Sequence, residues 1–273
     1  MQYDPVKRRI GNMVNRAPWL RKLFYRLLDI LLLRTWHVKK AIRKYHGSDN
    51  NEFSVLDAGS GFGQYSYRMH RMNRDWNIKG VDVKDEQIAD CTAFFEKIGA
   101  TRVLFENADL TELVEPNSYN LILSVDVMEH IEDDRSVFKN FYKSLKEGGH
   151  LIISTPSDKG GSDVHHDHDE SFIDEHVRDG YGVAEIDNKL SEAGFNKVIT
   201  RYTYGNPGKI SWRLSMKIPI LLLNRSWLFA IFLPLWYILV MPFALVLNKL
   251  DTVKMHREGT GLLVVAKKEK LLG

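Results

Sequence analysis

Nine residues, Val55-Leu-Asp-Ala-Gly-Ser-Gly-Phe-Gly63, constrain this chain more than any others. A short apolar run that begins at Phe53 ends in an acid, and glycines at 59, 61 and 63 follow before a helical pattern begins. Glycine lets the backbone turn tightly and come close to a ligand, and the helix behind it presents free N–H groups. A strand, a glycine loop and a helix in that order belong to an open parallel sheet, whose ligand crevice lies at the carboxyl ends of its strands.

The rest of the chain agrees. Strand-like segments at 53–57, 78–82, 102–105, 119–125, 149–154, 197–204 and 261–267 alternate with helical patterns at 64–72, 85–98, 134–146 and 183–193. Such alternation predicts an α/β fold, a doubly wound, seven-stranded and mostly parallel sheet with helices on both faces. Gly148-Gly149 and Gly194 read as helix ends ahead of strands. With 273 residues, of which 44% are hydrophobic, one core with extensions is expected. The division is a basic helical region at 1–46 and a domain at 47–273, interrupted by an apolar insertion at 210–250.

Acids follow the next two strands. Asp82, in Gly80-Val81-Asp82-Val83, can accept hydrogen bonds from both hydroxyls of a nucleoside ribose. Asp109, in Asn107-Ala108-Asp109-Leu110, can receive the amino group of an adenine. At three successive strand ends these residues outline an adenosine pocket. Together with YNLILSVDVMEHIEDD at 119–134 and LKEGGHLIISTPS at 145–157, these motifs resemble the class I S-adenosyl-L-methionine (SAM)-dependent methyltransferases, in particular the ubiquinone and menaquinone methylase-like group. The resemblance covers roughly residues 50–205 and the last strand, and implies a Rossmann-like methyltransferase sheet. It implies a SAM loop of Asp57, Gly59, Ser60, Gly61 and Gly63, a ribose clamp of Asp82 beside Val83, and an adenine contact at Asp109 and Leu110. Ser124 and Asp126 would border the methionine part. A dinucleotide fingerprint would be spaced GxGxxG, whereas this loop reads GxGxG.

Methyl transfer asks the protein to align the acceptor, exclude water and, for an oxygen nucleophile, remove a proton. Candidate bases are His130, Glu129 and His176; the first two also suit a structural role at the start of a helix. His165-His166-Asp167-His168-Asp169-Glu170 contains metal-ligating residue types, yet without helix-face spacing it reads as a solvated lid, and no metal is expected.

Charge and hydropathy add a location. Residues 1–46 hold twelve Lys/Arg against Asp4 and Asp29, so this arm is +10 in a chain of net +3 and the remainder is −7. Leu20, Leu23, Phe24, Leu27, Leu28 and Leu31 recur at helical spacing after Pro18, with Arg21, Lys22 and Arg26 between them, as in a helix docked on the core or lying on a membrane. Trp227 to Leu247 has no charged residue. A span there would separate strands that must share a sheet, so a re-entrant, monotopic insertion at an anionic cytoplasmic membrane face is expected. The start lacks the pattern of a secretory signal, and the single cysteine, Cys91, excludes an internal disulfide. The expected acceptor is a lipophilic small molecule: a prenylated quinone, a lipid headgroup, or an aryl lipid or polyene, with O-methylation leading. The rivals are a soluble methyltransferase that dimerises through the insertion and a non-catalytic SAM-fold adaptor. A nucleic-acid partner ranks last, because it gives the apolar insertion no use.

Overall fold

The computed structural model describes residues 17–45, 53–160 and 177–269. Seven strands form one sheet: β1 (Ser54–Ala58), β2 (Asn77–Asp82), β3 (Val103–Asn107), β4 (Tyr119–Val125), β5 (Leu145–Pro156), β6 (Lys197–Thr203) and β7 (Gly261–Lys267). Their spatial order is β3-β2-β1-β4-β5-β7-β6, with β7 antiparallel to both neighbours and the other pairings parallel. Central strands such as Leu121-Ile122-Leu123 are apolar on both faces because helices cover both.

Alternation along the strands feeds two cores. On one face Leu56, Ile122 and Ile153 meet α5 (Asp134–Ser144) and α6 (Val183–Ala193) through Phe138, Phe141 and Leu190. On the other, Val55, Leu121 and Ile152 meet α1 (Pro18–Leu31), α2 (Leu33–Tyr45), α3 (Gln64–Met72) and α4 (Asp85–Lys97) through Tyr25, Ile42, Met69 and Phe95. Most element bounds fall within two residues of those read from sequence. The exception is β5, which starts at Leu145 and takes in Gly148-Gly149. A register shift between Tyr119 and Leu121 lets Leu145 pair with Tyr119, so these glycines lie within a strand and not at a helix end.

Helix α1 inverts the expected face. Arg21, read as a solvent-facing cation, is buried with Tyr25, while Trp19, Leu23, Leu27 and Ile30 are exposed. The guanidinium tolerates burial because it is paired: it bonds Asp90 at 2.7 Å, the Phe62 carbonyl at 2.7 Å and the Tyr25 hydroxyl at 2.6 Å, and lies over the Phe94 ring. Between β6 and β7 the chain forms a helical hairpin. Its outgoing arm is α7 (Asn206–Trp212), a π-helical turn (Arg213–Lys217) and α8 (Ile218–Arg225). A 3₁₀ turn (Trp227–Ile231) leads to the returning helix α9 (Leu233–Val253). The arms are antiparallel, since Trp236 and Tyr237 donate to the carbonyls of Leu214 and Ser215 while Ser211 donates to Ala244 and Asn248.

Candidate active site

The carboxyl ends of the strands come into line at one edge of the sheet: Ala58 opposes Val81 and Ser124, Asp82 opposes Asn107, and Val125 opposes Ser154. The glycine loop folds over that edge. Gly59 N–H and Ser60 N–H both donate to the Val81 carbonyl, at 2.9 and 2.8 Å, and Gly59, Gly61 and Gly63 have φ of 76°, 53° and 80°. A Cβ on Gly59 would lie 2.3 Å from Val127 Cγ2, so only glycine lets β1 and β4 close together here. Around Gly61, by contrast, the nearest side-chain atom to an added Cβ is 3.8 Å away, leaving space for a ligand.

Asp82 ties the loop to β2. Its Oδ2 accepts from Gly61 N–H at 3.0 Å and its Oδ1 from Lys84 N–H at 3.0 Å, so the carboxylate is held at the strand end where a ribose would lie. Asp57 sits beneath, buried, and accepts from the Ser66 hydroxyl at 2.6 Å. Burial pushes its carboxyl up to about 6, with the Ser66 bond opposing. Asp109 is exposed and caps its own turn by accepting from Thr111 N–H and Oγ1, whereas neighbouring Leu110 is anchored in the core. Val83 is exposed at the rim. The Ser60 and Ser124 hydroxyls are buried at this edge without a hydrogen-bond partner. Two orphaned donors, an open glycine and a fixed carboxylate fit an adenosine-bearing cofactor with a polar amino-acid tail.

Sequence reasoning missed the closure from the N-terminal side. Asp126 stands at φ 52°, its N–H bound to the Ser154 carbonyl, and its carboxylate pairs with Arg34 at the start of α2. Arg34 N–H in turn donates to the hydroxyl of Tyr204, which follows β6. The Phe62 carbonyl of the glycine loop accepts from both Arg21 and Tyr25. Helices α1 and α2 therefore strap the loop and one wall of the crevice, a contact between residues far apart in sequence that no local motif announces.

Of the candidate bases, Glu129 is buried and accepts from Thr155 Oγ1 at 3.0 Å; burial raises its carboxyl above the ordinary value. His130, beside it in a 3₁₀ turn, is exposed. His176 and the cluster at 165–170 lie outside the described residues.

A mostly parallel sheet with a glycine loop on its first strand and an acid at the end of its second defines a nucleoside-binding α/β protein of the Rossmann-like class. Residues 49–201 match the family described as a methyltransferase domain, and the chain belongs to it, within the class I SAM-dependent methyltransferases. Among curated relatives, wheat phosphoethanolamine N-methyltransferase is 31% identical over 147 residues, covering 53% of this chain and 28% of the relative. A ubiquinone biosynthesis O-methyltransferase of Rickettsia canadensis is 24% identical over 110 residues, covering 40% and 45%. The chain thus matches less than half the length of either. Haemonchus contortus phosphoethanolamine N-methyltransferase 2, solved with SAM, shares the fold with TM-score 0.63 at 17% identity, over 96% of this chain and 60% of that one. Geranyl diphosphate C-methyltransferase of Streptomyces coelicolor does so with TM-score 0.58 at 11% identity, over 87% and 82%.

Proposed function

We propose that this protein transfers a methyl group from SAM to a lipophilic acceptor presented at the cytoplasmic face of a membrane. The observation that carries the proposal is the hairpin's position: its outgoing arm leaves the sheet just past the carboxyl end of β6, at the edge where the glycine loop lies, and its outer surface is apolar. Helix α9 is 21 residues long, and only 11% of its most apolar stretch is buried. Ile238, Leu239, Phe243 and Val246 face outward. Asp251, the one acid between 206 and 253, is buried, whereas Lys209, Arg213, Lys217, Arg225 and Lys249 supply positive charge for an anionic headgroup layer. Both arms return to one sheet, which excludes a single crossing. The outgoing arm, broken into short pieces that carry Lys209, Arg213, Lys217 and Arg225, is too short and too charged for a second one, so the hairpin enters one leaflet and returns.

The cofactor supplies an activated methyl and a neutral leaving group. The chain's own part is to hold Asp82 and the loop in place, to exclude water through α1 and α2, and to take up a proton when the acceptor is a hydroxyl. Glu129, buried against Thr155 just past the end of β4 with its carboxyl raised by burial, is the described residue proposed to accept that proton. O-methylation, which needs such a base for a hydroxyl acceptor, is the leading chemistry of this proposal. A second reading, N-methylation of a phosphorylated amine headgroup, draws on the matched phosphoethanolamine N-methyltransferases.

Mass spectrometry of total lipid extract incubated with the full chain and isotopically labelled SAM tests the proposal. The expected product is a labelled, solvent-extractable species; label confined to water-soluble products would overturn it. Single cysteines at Asn206, Arg225 and Lys254 in a Cys91→Ser background should all label from one side of sealed vesicles. Labelling of Arg225→Cys from the far side would show a crossing instead.

A further inference from the structure

At the opposite edge of the sheet, away from the crevice, a surface cavity of about 360 Å³ opens between α1, the end of α3 and the turn from α4 into β3. Lys22, His70, Arg71, Arg74 and Arg102 line it together with Tyr67, and no acid does. Among the described residues, Lys22, Arg71 and Arg74 meet no carboxylate; Arg71 rests over the Tyr67 ring, and Arg102 donates to the Asp75 carbonyl and to Asn77. His70 contributes a buried Nδ1 without a hydrogen-bond partner. Burial first, then Arg74, lowers its pKa. Gly99, at φ 71° on the turn, has no atom within 4 Å of where its Cβ would be, which leaves this wall open.

Cations drawn together without acids repel one another, and the arrangement stores a preference for an anion. The volume decides which anions suit. A water's share of liquid is ~30 Å³, so the cavity holds far more than a single small ion, and small-ligand sites begin at ~300 Å³. Two planar guanidiniums on the exposed Arg71 and Arg74 match the oxygens of a phosphoryl group, which they can engage in bidentate pairs. Lys22 lies between Trp19 and Leu23, two of the exposed apolar residues of α1, so the basic rim runs into an apolar surface. Nothing in the methyl-transfer crevice uses these residues.

We propose that Lys22, His70, Arg71, Arg74 and Arg102 form a second binding site, for a phosphate-bearing anion larger than orthophosphate. The ligand is either the headgroup of an anionic phospholipid or a soluble phosphorylated compound. The first source rests on the membrane reading above; the second does not.

Two titrations of the full purified chain test this: calorimetry with inorganic pyrophosphate, and flotation with phosphatidylcholine vesicles with and without phosphatidylglycerol. In at least one arm, saturable binding should weaken about tenfold or more in Arg71→Gln/Arg74→Gln, the scale of a lost charge-assisted contact. It should persist in Lys139→Gln/Lys143→Gln, which removes the same charge from exposed positions on the other face of the sheet. Pyrophosphate that displaces the protein from phosphatidylglycerol vesicles identifies the lipid headgroup, and pyrophosphate that binds without altering flotation identifies a soluble ligand. Equal losses in the two double variants, or saturable binding in neither arm, overturn the site. SAM affinity measured on the same preparations should be unchanged throughout, so failure here is distinguishable from failure of the methyltransferase reading.

Discussion

The parallel part of the sheet and the helical hairpin sort their side chains in opposite senses. In the sheet, Leu56, Ile122 and Ile152 are sealed between helices. In the hairpin the seam between the arms is polar, with Ser211, Ser215, Asn248 and Asp251 buried, and the surface is Leu235, Ile238, Leu239, Phe243 and Val246. Hydrogen bonds hold that seam: Ser211 Oγ to Asn248 at 2.7 Å, Ser215 Oγ to the Ser211 carbonyl at 2.8 Å, Tyr237 hydroxyl to the Ser215 carbonyl at 3.0 Å. In water an exposed apolar side chain forgoes about 1.5–3 kcal/mol of burial, so this sorting supports the proposal that the hairpin sits in lipid. One chain thus carries a domain with an apolar interior and an element with an apolar exterior.

The root of the hairpin is where the comparison breaks most sharply. Asp251 is fully buried on α9: its Oδ1 pairs with His37 of α2 at 2.8 Å and accepts from Tyr204 N–H at 3.2 Å, and its Oδ2 accepts from Gly208 N–H at 3.0 Å with His256 3.2 Å away. Asp251→Ala strands these donors and should lower stability by about 3–5 kcal/mol, read as a drop in the denaturant midpoint of the whole domain. A midpoint within error of the parent would mean that the hairpin hangs on the sheet by its apolar contacts alone. These partners hold the Asp251 carboxyl below its ordinary value although burial opposes them. A depressed carboxyl contributes stability above its unfolded pKa and loses it as pH falls through the folded value, so the contribution is present at neutral pH and disappears in acid.

At the sheet the largest effect is on ligand and not on fold. Asp82→Ala removes the acceptor for Gly61 and Lys84 and the proposed ribose contact; SAM affinity should fall by about 2–3 kcal/mol by calorimetry. Unchanged affinity would remove Asp82 from the site. A smaller effect of opposite sign to that of Asp251 belongs to Asp57. Its folded value of about 6 stands above the ordinary 3.8, so it stabilises the fold in acid and loses that contribution as pH rises through 6. Asp57→Asn should flatten the stability profile between those two values; an unaltered profile would show that Ser66 suffices to keep the buried carboxylate charged. The least effect on stability is expected on the outer face of α9. Leu239→Glu/Phe243→Glu should stay within about 0.5 kcal/mol per site in detergent solution yet abolish flotation with vesicles. Flotation that survives both charges would leave the hairpin as an interface between protein copies.

What the sequence discloses follows from range. The glycine loop, Asp82 and the strand ends are legible because a turn, a helix start and a strand end are each written within a few residues, and the parallel sheet brings them together by rule. Arg34 with Asp126, and His37 with Asp251, 214 residues apart in the second case, are far from one another in sequence and share no motif. The face of α1 is hidden for a related reason: periodicity places Arg21 outside, and only the tertiary partners Asp90 and the Phe62 carbonyl make its burial tolerable. Asp109 is intermediate, since its place after β3 is readable but its engagement with Thr111 is a turn contact that spacing does not reveal.

The strand order has a consequence in time. Strand β6 joins the sheet only through β7, which fits between β5 and β6. As synthesis proceeds from the amino end, β6 emerges with no neighbour to pair with, and 57 residues, 204–260, must follow before Gly261 begins the strand that will hold it. Those residues include the whole apolar hairpin. The late wedge of β7 is a long-range closure, slow by nature, and until it happens an open strand edge and a greasy helical pair coexist. If the hairpin settles into lipid as proposed, the nascent chain would wait for β7 anchored at a surface, its loose strand kept from other chains, and a bilayer would then serve as its workbench during assembly.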